Sequence, residues 1–127
     1  MLADMTTSLV TLEVKDSIAI LRMDDGKANA LSPAMLDALH HALDRAEKEA
    51  KVLVLVGRPG RFCAGFDLKV MMSSPGAAQE LVTTGTDLYL RLFLHPQPVV
   101  AAVTGHALAG GVLLAACGDV RIGASGD

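Results

Sequence analysis

Apolar and polar residues alternate at the start of the chain, with Val10, Leu12 and Val14 set against Thr11 and Glu13. A period of two predicts a half-buried strand, so Ser8 to Val14 and Ile18 to Met23 read as a strand pair joined at Lys15-Asp16-Ser17. Asp24-Asp25-Gly26-Lys27-Ala28-Asn29 is then a polar loop. Ser32-Pro33 marks a helix start, because a serine oxygen accepts from otherwise unpaired N–H groups and proline suits the first helical position. Met35, Leu36, Leu39, Leu43, Ala46 and Ala50 follow at helical spacing, with charged residues on the opposite face. Lys51 to Val56 is a continuous apolar run of strand length, which predicts a strand covered on both faces.

Gly57-Arg58-Pro59-Gly60 ends that strand, and Leu68 to Met72 predicts a short helical turn stopped by Ser73-Ser74-Pro75-Gly76. Ala77 to Leu94 reads as a long helix weakened by Gly85. A buried strand over Val99 to Val103, a buried helix over Gly110 to Cys117 and a last strand at Val120-Arg121-Ile122 complete the pattern. No internal sequence repeat is visible. Strands alternate with helices, so the expected fold class is α/β with a mainly parallel sheet, and residues 1–127 are expected to form one domain.

Composition narrows the function classes. The chain is 51% hydrophobic and its mean hydropathy is +0.41, which implies either an unusually large core or an apolar surface that meets a partner. His106, Gly110 and Gly111 interrupt the richest apolar segment before it reaches the ~20 residues of a membrane span. Met1-Leu2-Ala3-Asp4-Met5 lacks the basic and apolar regions of a signal peptide, so a cytoplasmic location is expected. A net charge of −3 spread without blocks, with one tyrosine and three phenylalanines, argues against a nucleic-acid partner. Cys63 and Cys117 suggest no disulfide framework, and Cys63 reads as a small buried hydrophobe ahead of a reactive thiol.

Two glycine-containing turns carry the candidate chemistry. In Ala64-Gly65-Phe66-Asp67-Leu68 a loop after a buried strand leads into a helix start, where N–H groups lack internal partners, leaving the Phe66 N–H free to donate outward. In Gly105-His106-Ala107-Leu108-Ala109-Gly110-Gly111 a second buried strand leads into another helix. Two glycines inside a helix cost about 1 kcal/mol each relative to alanine. Close packing could justify them, and so could a ligand approaching the Gly110 N–H. Together, two such turns can form an oxyanion hole, a pair of N–H donors aimed at one carbonyl oxygen. No Walker-type Gly-Lys-Ser/Thr, three-glycine dinucleotide fingerprint or Gly-x-Ser-x-Gly elbow is present. No metal is expected: His40 and His41 are adjacent on a helix and point apart, and His95 before Pro96 reads as a surface residue.

The two turns, with Asn29-Ala30-Leu31, Pro98 to Gly105 and Ala109 to Asp119, resemble the crotonase family of enoyl-CoA hydratases and isomerases. The resemblance runs from about Leu9 to the last residues and corresponds to the N-terminal half of a family member. It implies a spiral of repeated strand-strand-helix units, incomplete at the C-terminus, assembled as homotrimers or hexamers. It also implies an acyl-CoA thioester substrate, with CoA as part of that substrate and no separate cofactor. Phe66 and Gly110 would donate to the thioester oxygen. Ala64, Asp67, Leu68, Lys69, Gly111 and Leu113 would line the substrate channel, and Lys27 and Ala28 would lie near the CoA nucleotide.

One position departs from the hydratase pattern: Leu113 stands where typical hydratases carry a catalytic Glu. An apolar residue there resembles the monofunctional enoyl-CoA isomerases, whose single Glu lies on a segment beyond the equivalent of Asp127. The expected activity is therefore enoyl-CoA double-bond isomerisation. The alternatives are hydration or thioester hydrolysis within the family, and a non-catalytic CoA-thioester binding or assembly subunit outside enzyme function. Within the chain, His106 is the candidate replacement base. Asp67 reads as a helix cap and Asp119 as a structural hydrogen-bonding residue, while Met71, Met72 and Tyr89 belong either to an acyl-channel wall or to the core.

Overall fold

The computed structural model describes residues 8–126; the reading of Met1 to Met5 lies outside them. Strand β1 (Val10–Lys15) and β2 (Ile18–Met23) pair antiparallel, Val10 opposite Met23 and Lys15 opposite Ile18. The hairpin is tighter than expected. Lys15 belongs to the strand, and the two linking residues, Asp16 and Ser17, both take positive φ, as a two-residue hairpin loop requires.

Three strand-strand-helix units follow one another. The first ends in α1 (Pro33–Glu49), capped by Ser32 through its side chain and Met35 N–H. The second runs through β4 (Val52–Val56) and β5 (Gly60–Cys63) to α2 (Leu68–Met71) and the long α3 (Pro75–Phe93). The third comprises β7 (Val99–Val103), β8 (Gly105–Ala107) and α4 (Gly110–Ala116), before β9 (Val120–Gly123). The main sheet has the order β1-β2-β4-β7-β9, parallel from β2 onward, because each return passes through a helix.

The core lies between one face of this sheet and helices α1 and α3. Leu21, Met23, Leu53, Leu55 and Val99 pack against Met35, Leu36, Leu39 and Leu43 of α1 and Leu81, Leu88 and Leu92 of α3. Leu53 and Leu55 are 1% exposed, whereas Val52 and Val54 on the other face are half-buried. The apolar run therefore has one deeply buried face instead of two. Arg91 of α3 ties the helices together, donating to Asp44 Oδ1 at 2.6 Å, Glu47 Oε1 at 3.3 Å and both Nδ1 and the carbonyl of His40 at 3.1 Å. His95, expected at the surface, is instead buried, its side chain 1% exposed and Nδ1 3.9 Å from Glu47 Oε1.

Helix α4 also departs from expectation. Gly110, Gly111, Leu114 and Ala115 are buried, but Val112 and Leu113 are exposed, as is the whole of β9. With Leu90 and Phe93 of α3 and Leu94 just after it, these residues give the chain a broad apolar surface, so the high hydropathy does not all go into the core. No helix among the described residues is long and apolar enough to cross a membrane.

Candidate functional site

Two short parallel pairs outside the main sheet bring the glycine turns together. Strand β3 (Ala30–Leu31) pairs with β6 (Gly65–Phe66), Ala30 opposite Gly65, and β5 pairs with β8, Gly60 opposite Gly105. The first pair sets the Lys27–Asn29 loop beside the first turn; the second carries the Leu108–Gly111 turn against it. Pairs of two or three residues leave no periodicity in the sequence, and neither pair is among the expected strands.

At the first turn Gly65 has φ +90°, and a Cβ there would lie 2.8 Å from the Gly110 nitrogen. Only glycine combines that backbone conformation with that approach. The Asp67 N–H donates to Leu31 O at 3.1 Å, within the β3–β6 ribbon. Successive strand N–H groups face opposite edges, so the Phe66 N–H faces away from β3. Asp67 caps α2 through its carboxylate, which accepts from Lys69 N–H at 2.9 Å.

The second turn owes its shape to Ala109, which sits at φ 49° and ψ −120°. Gly111 N–H donates to Leu108 O at 2.7 Å, closing a four-residue turn of the II′ class in which alanine occupies the position that favours glycine. The backbone strain, about 1–3 kcal/mol, flips the Ala109–Gly110 peptide. Gly110 is the first residue of α4, where an N–H has no intrahelical acceptor. A Cβ on Gly110 would lie 3.6 Å from Phe66 N and 2.7 Å from Tyr89 Oη, and one on Gly111 would lie 2.1 Å from Cys63 O. Both glycines are thus dictated by contact, and the Phe66 and Gly110 backbones are neighbours.

The matched proteins agree with this architecture. The model of the enoyl-CoA hydratase/isomerase family matches residues 13–126. The chain belongs to that family. A probable enoyl-CoA hydratase of Bacillus subtilis is 35% identical over 119 residues, 91% of this chain and 46% of that protein. The solved apo enoyl-CoA isomerase of Mycobacterium tuberculosis superposes with a TM-score of 0.86 at 45% identity, covering 90% of this chain and 50% of its own. An enoyl-CoA hydratase/isomerase family protein from Pseudomonas syringae gives a TM-score of 0.91 at 43% identity, with coverage of 94% and 52%. The spiral of strand-strand-helix units is therefore the enoyl-CoA hydratase/isomerase fold. The chain spans about half the length of the curated relatives it matches, and those relatives carry both hydratase and isomerase names.

Within this family member the remaining expected residues fall in three places. Ala64 and Asp67 are half-buried beside the first turn, and Leu68 and Lys69 are exposed on α2. Lys27 and Ala28 belong to a loop closed by Asp25 and Asn29, with Arg58 Nη1 donating to Lys27 O and Arg58 Nε 2.8 Å from Asp24 Oδ1. Leu113 is 55% exposed one turn after Gly110, where it joins Tyr89, Leu90, Phe93 and Cys117 around an apolar hollow of about 360 Å³. His106 is exposed and lines a different cleft, with Gly60, Thr104 and Gly123, away from the Gly65–Gly110 contact. Asp119 is structural: its carboxylate accepts from Val99 N–H at 2.7 Å. Burial pushes the Cys63 thiol up to about 11, consistent with an inert buried side chain. Among the described residues no group of three or more His, Cys, Asp or Glu is placed to hold a metal ion.

Two residues noted in the sequence, Asn29 and Gly85, have roles that only the structure shows. Asn29, fully buried at φ 57°, donates from Nδ2 to Met23 O at 3.0 Å and Phe62 O at 3.1 Å and accepts from Asp25 N–H at 3.0 Å. It staples the Lys27 loop to the strand entering the first turn. Gly85 faces the Phe66 ring so closely that a Cβ would lie 2.2 Å from Cε1.

Proposed function

We propose that the Phe66 and Gly110 N–H groups form an oxyanion hole for an acyl-CoA thioester, and that the reaction is double-bond isomerisation of an enoyl-CoA. Loss of a proton next to the acyl chain's double bond sends negative charge onto the thioester oxygen. Two donors held by packed turns stabilise that charge without reorganising, and removing one such donor typically costs ~3 kcal/mol of barrier stabilisation. CoA enters as part of the substrate, its nucleotide beside Lys27 and Ala28. The acyl chain follows Ala64, Asp67, Leu68, Lys69 and Gly111 toward the apolar hollow at Leu113.

Leu113 carries the choice of reaction. An apolar side chain one turn after Gly110 cannot activate water, which disfavours hydration there. Asp67 is engaged in capping α2 and His106 lines another cleft, so we assign the moving proton to a Glu outside residues 8–126. We further propose a cytoplasmic homotrimer or hexamer, in which the apolar surface of α3, α4 and β9 is covered.

Assaying the complete gene product with 3-enoyl-CoA and 2-enoyl-CoA tests the reaction. Interconversion of the two without hydroxyacyl-CoA is the expected result; fast water addition with negligible isomerisation rejects it in favour of a hydratase, and release of free CoA in favour of a thioester hydrolase. A second reading, a CoA-thioester binding or assembly subunit, is favoured by the lack, among the described residues, of a free proton-carrying side chain beside the two donors. Tight acyl-CoA binding with no turnover of any of these substrates would establish it.

A further inference from the structure

Helix α3 touches both turns with residues one helical turn apart. Gly85 leaves the space that the Phe66 ring fills. On the next turn, Tyr89 Oη donates to Gly110 O at 2.8 Å, and its ring lies 6.2 Å from that of Phe66 with the planes tilted by 49°. Helix α4 has no side-chain cap at its start, and among the described residues Tyr89 is the one side chain bonded to the Leu108–Gly111 turn. The turn is strained at Ala109, and no other polar side chain among the described residues holds it.

We infer that Tyr89 is a positioning residue for the oxyanion hole: its hydroxyl fixes the Gly110–Gly111 peptide, adjacent to the one that carries the Gly110 N–H, while its ring, packed on Phe66, keeps the two donors in register. The inference rests on the thioester reading given above. A carbonyl oxygen has two lone pairs, so Gly110 O can take the Tyr89 hydroxyl as well as its helical partner. Burial pushes the Tyr89 phenol up to about 12, which leaves it a protonated donor at neutral pH. Tyr89 touches no reacting atom in this arrangement; it acts through Gly110.

The test is Tyr89→Phe in the complete gene product, with acetoacetyl-CoA as the probe, because its enolate is visible in the near ultraviolet. The wild-type protein should make the bound probe ionise more readily. Tyr89→Phe should weaken that effect about five- to ten-fold, the size of one neutral hydrogen bond, and speed amide exchange at Gly111, whose N–H closes the turn on Leu108 O. Binding of butyryl-CoA, which carries no enolate, should change less than two-fold. Unchanged probe ionisation together with unchanged Gly111 exchange would overturn the inference, as would equal losses for both ligands. A wild-type protein that leaves the probe's ionisation untouched overturns the thioester reading instead, and Gly111 exchange then decides the positioning role of Tyr89 by itself.

Discussion

Gly85→Ala is the sharpest perturbation available, because helix propensity and packing oppose each other at that position. A helix interior gains about 1 kcal/mol from replacing glycine with alanine. Against this, the new methyl would lie 2.2 Å from Phe66 Cε1 and 2.6 Å from Cζ, about 1–1.5 Å inside the optimum separation of two carbons. Overpacking of this kind costs about 1–3 kcal/mol. The net expectation is a loss of about 1 kcal/mol, seen as a fall in Tm of about 3–6 °C. The displaced ring also drags the Phe66 N–H, so turnover should fall more than stability does. Gly76→Ala is the control: it lies in the first turn of the same helix, and a Cβ there meets nothing within 4 Å. That variant should be neutral or more stable. Thermal unfolding of both variants, and of Gly85→Ala combined with Phe66→Leu, completes the test. If Gly85→Ala is as stabilising as Gly76→Ala, or if Phe66→Leu does not relieve it, the argument from ring contact is wrong.

Three further outcomes follow from the same geometry. Asn29→Ala leaves Met23 O and Phe62 O buried without their donor and puts alanine at positive φ, so urea unfolding should show a loss of about 3–5 kcal/mol; a loss below about 1 kcal/mol would refute the staple role. Ala109→Gly removes strain worth about 1–3 kcal/mol against an unfolded-state entropy cost of about 0.4–1 kcal/mol, so Tm should rise, and a fall would mean the turn is not strained. Burial, with Arg91 second, holds His40 below its ordinary value of 6.5, and burial does the same to His95. Because Arg91 can only donate, His40 Nδ1 must accept as a neutral ring. The unfolded chain therefore binds more protons than the folded one just below pH 6.5, and stability should fall as pH drops through that window. Tm at about pH 7.5 and about pH 5.5 should differ less in a His40→Gln, His95→Gln double variant than in the wild type; an unchanged difference would place the sensitive groups elsewhere.

The main sheet and both long helices were legible in the sequence because each has its own periodicity, from Val10–Val14 to the Met35–Ala46 stripe. What was not legible depends on residues distant in sequence. Gly85 registers locally only as a weak point in a helix, and nothing near it announces the Phe66 ring. Likewise, β3 and β6 exist because Ala30 meets Gly65, not because either is a good strand. His95 sits among prolines, where exposure is the usual outcome, yet Glu47 of α1 reaches it. Hydropathy marks Val112 and Leu113 as apolar but says nothing about whether a neighbour covers them. The three strand-strand-helix units share an order of elements and no detectable sequence repeat, so the repetition is one of geometry alone.

The two turns lie on either side of the crossover through α3, with Phe66 before it and Gly110 after it. Closing such a separation costs chain entropy, as pairing β4 with β7 across the same crossover also does, so the contact is expected to form with that pairing and not before it. A partly folded chain with α1 and the β1–β2 hairpin in place would hold neither turn against the other. Ligand binding should accordingly appear after the helical signal during refolding, and an excursion that parts β5 from β8 would silence the site while α1 stays intact. The site thus exists only where the two sides of the crossover are packed together.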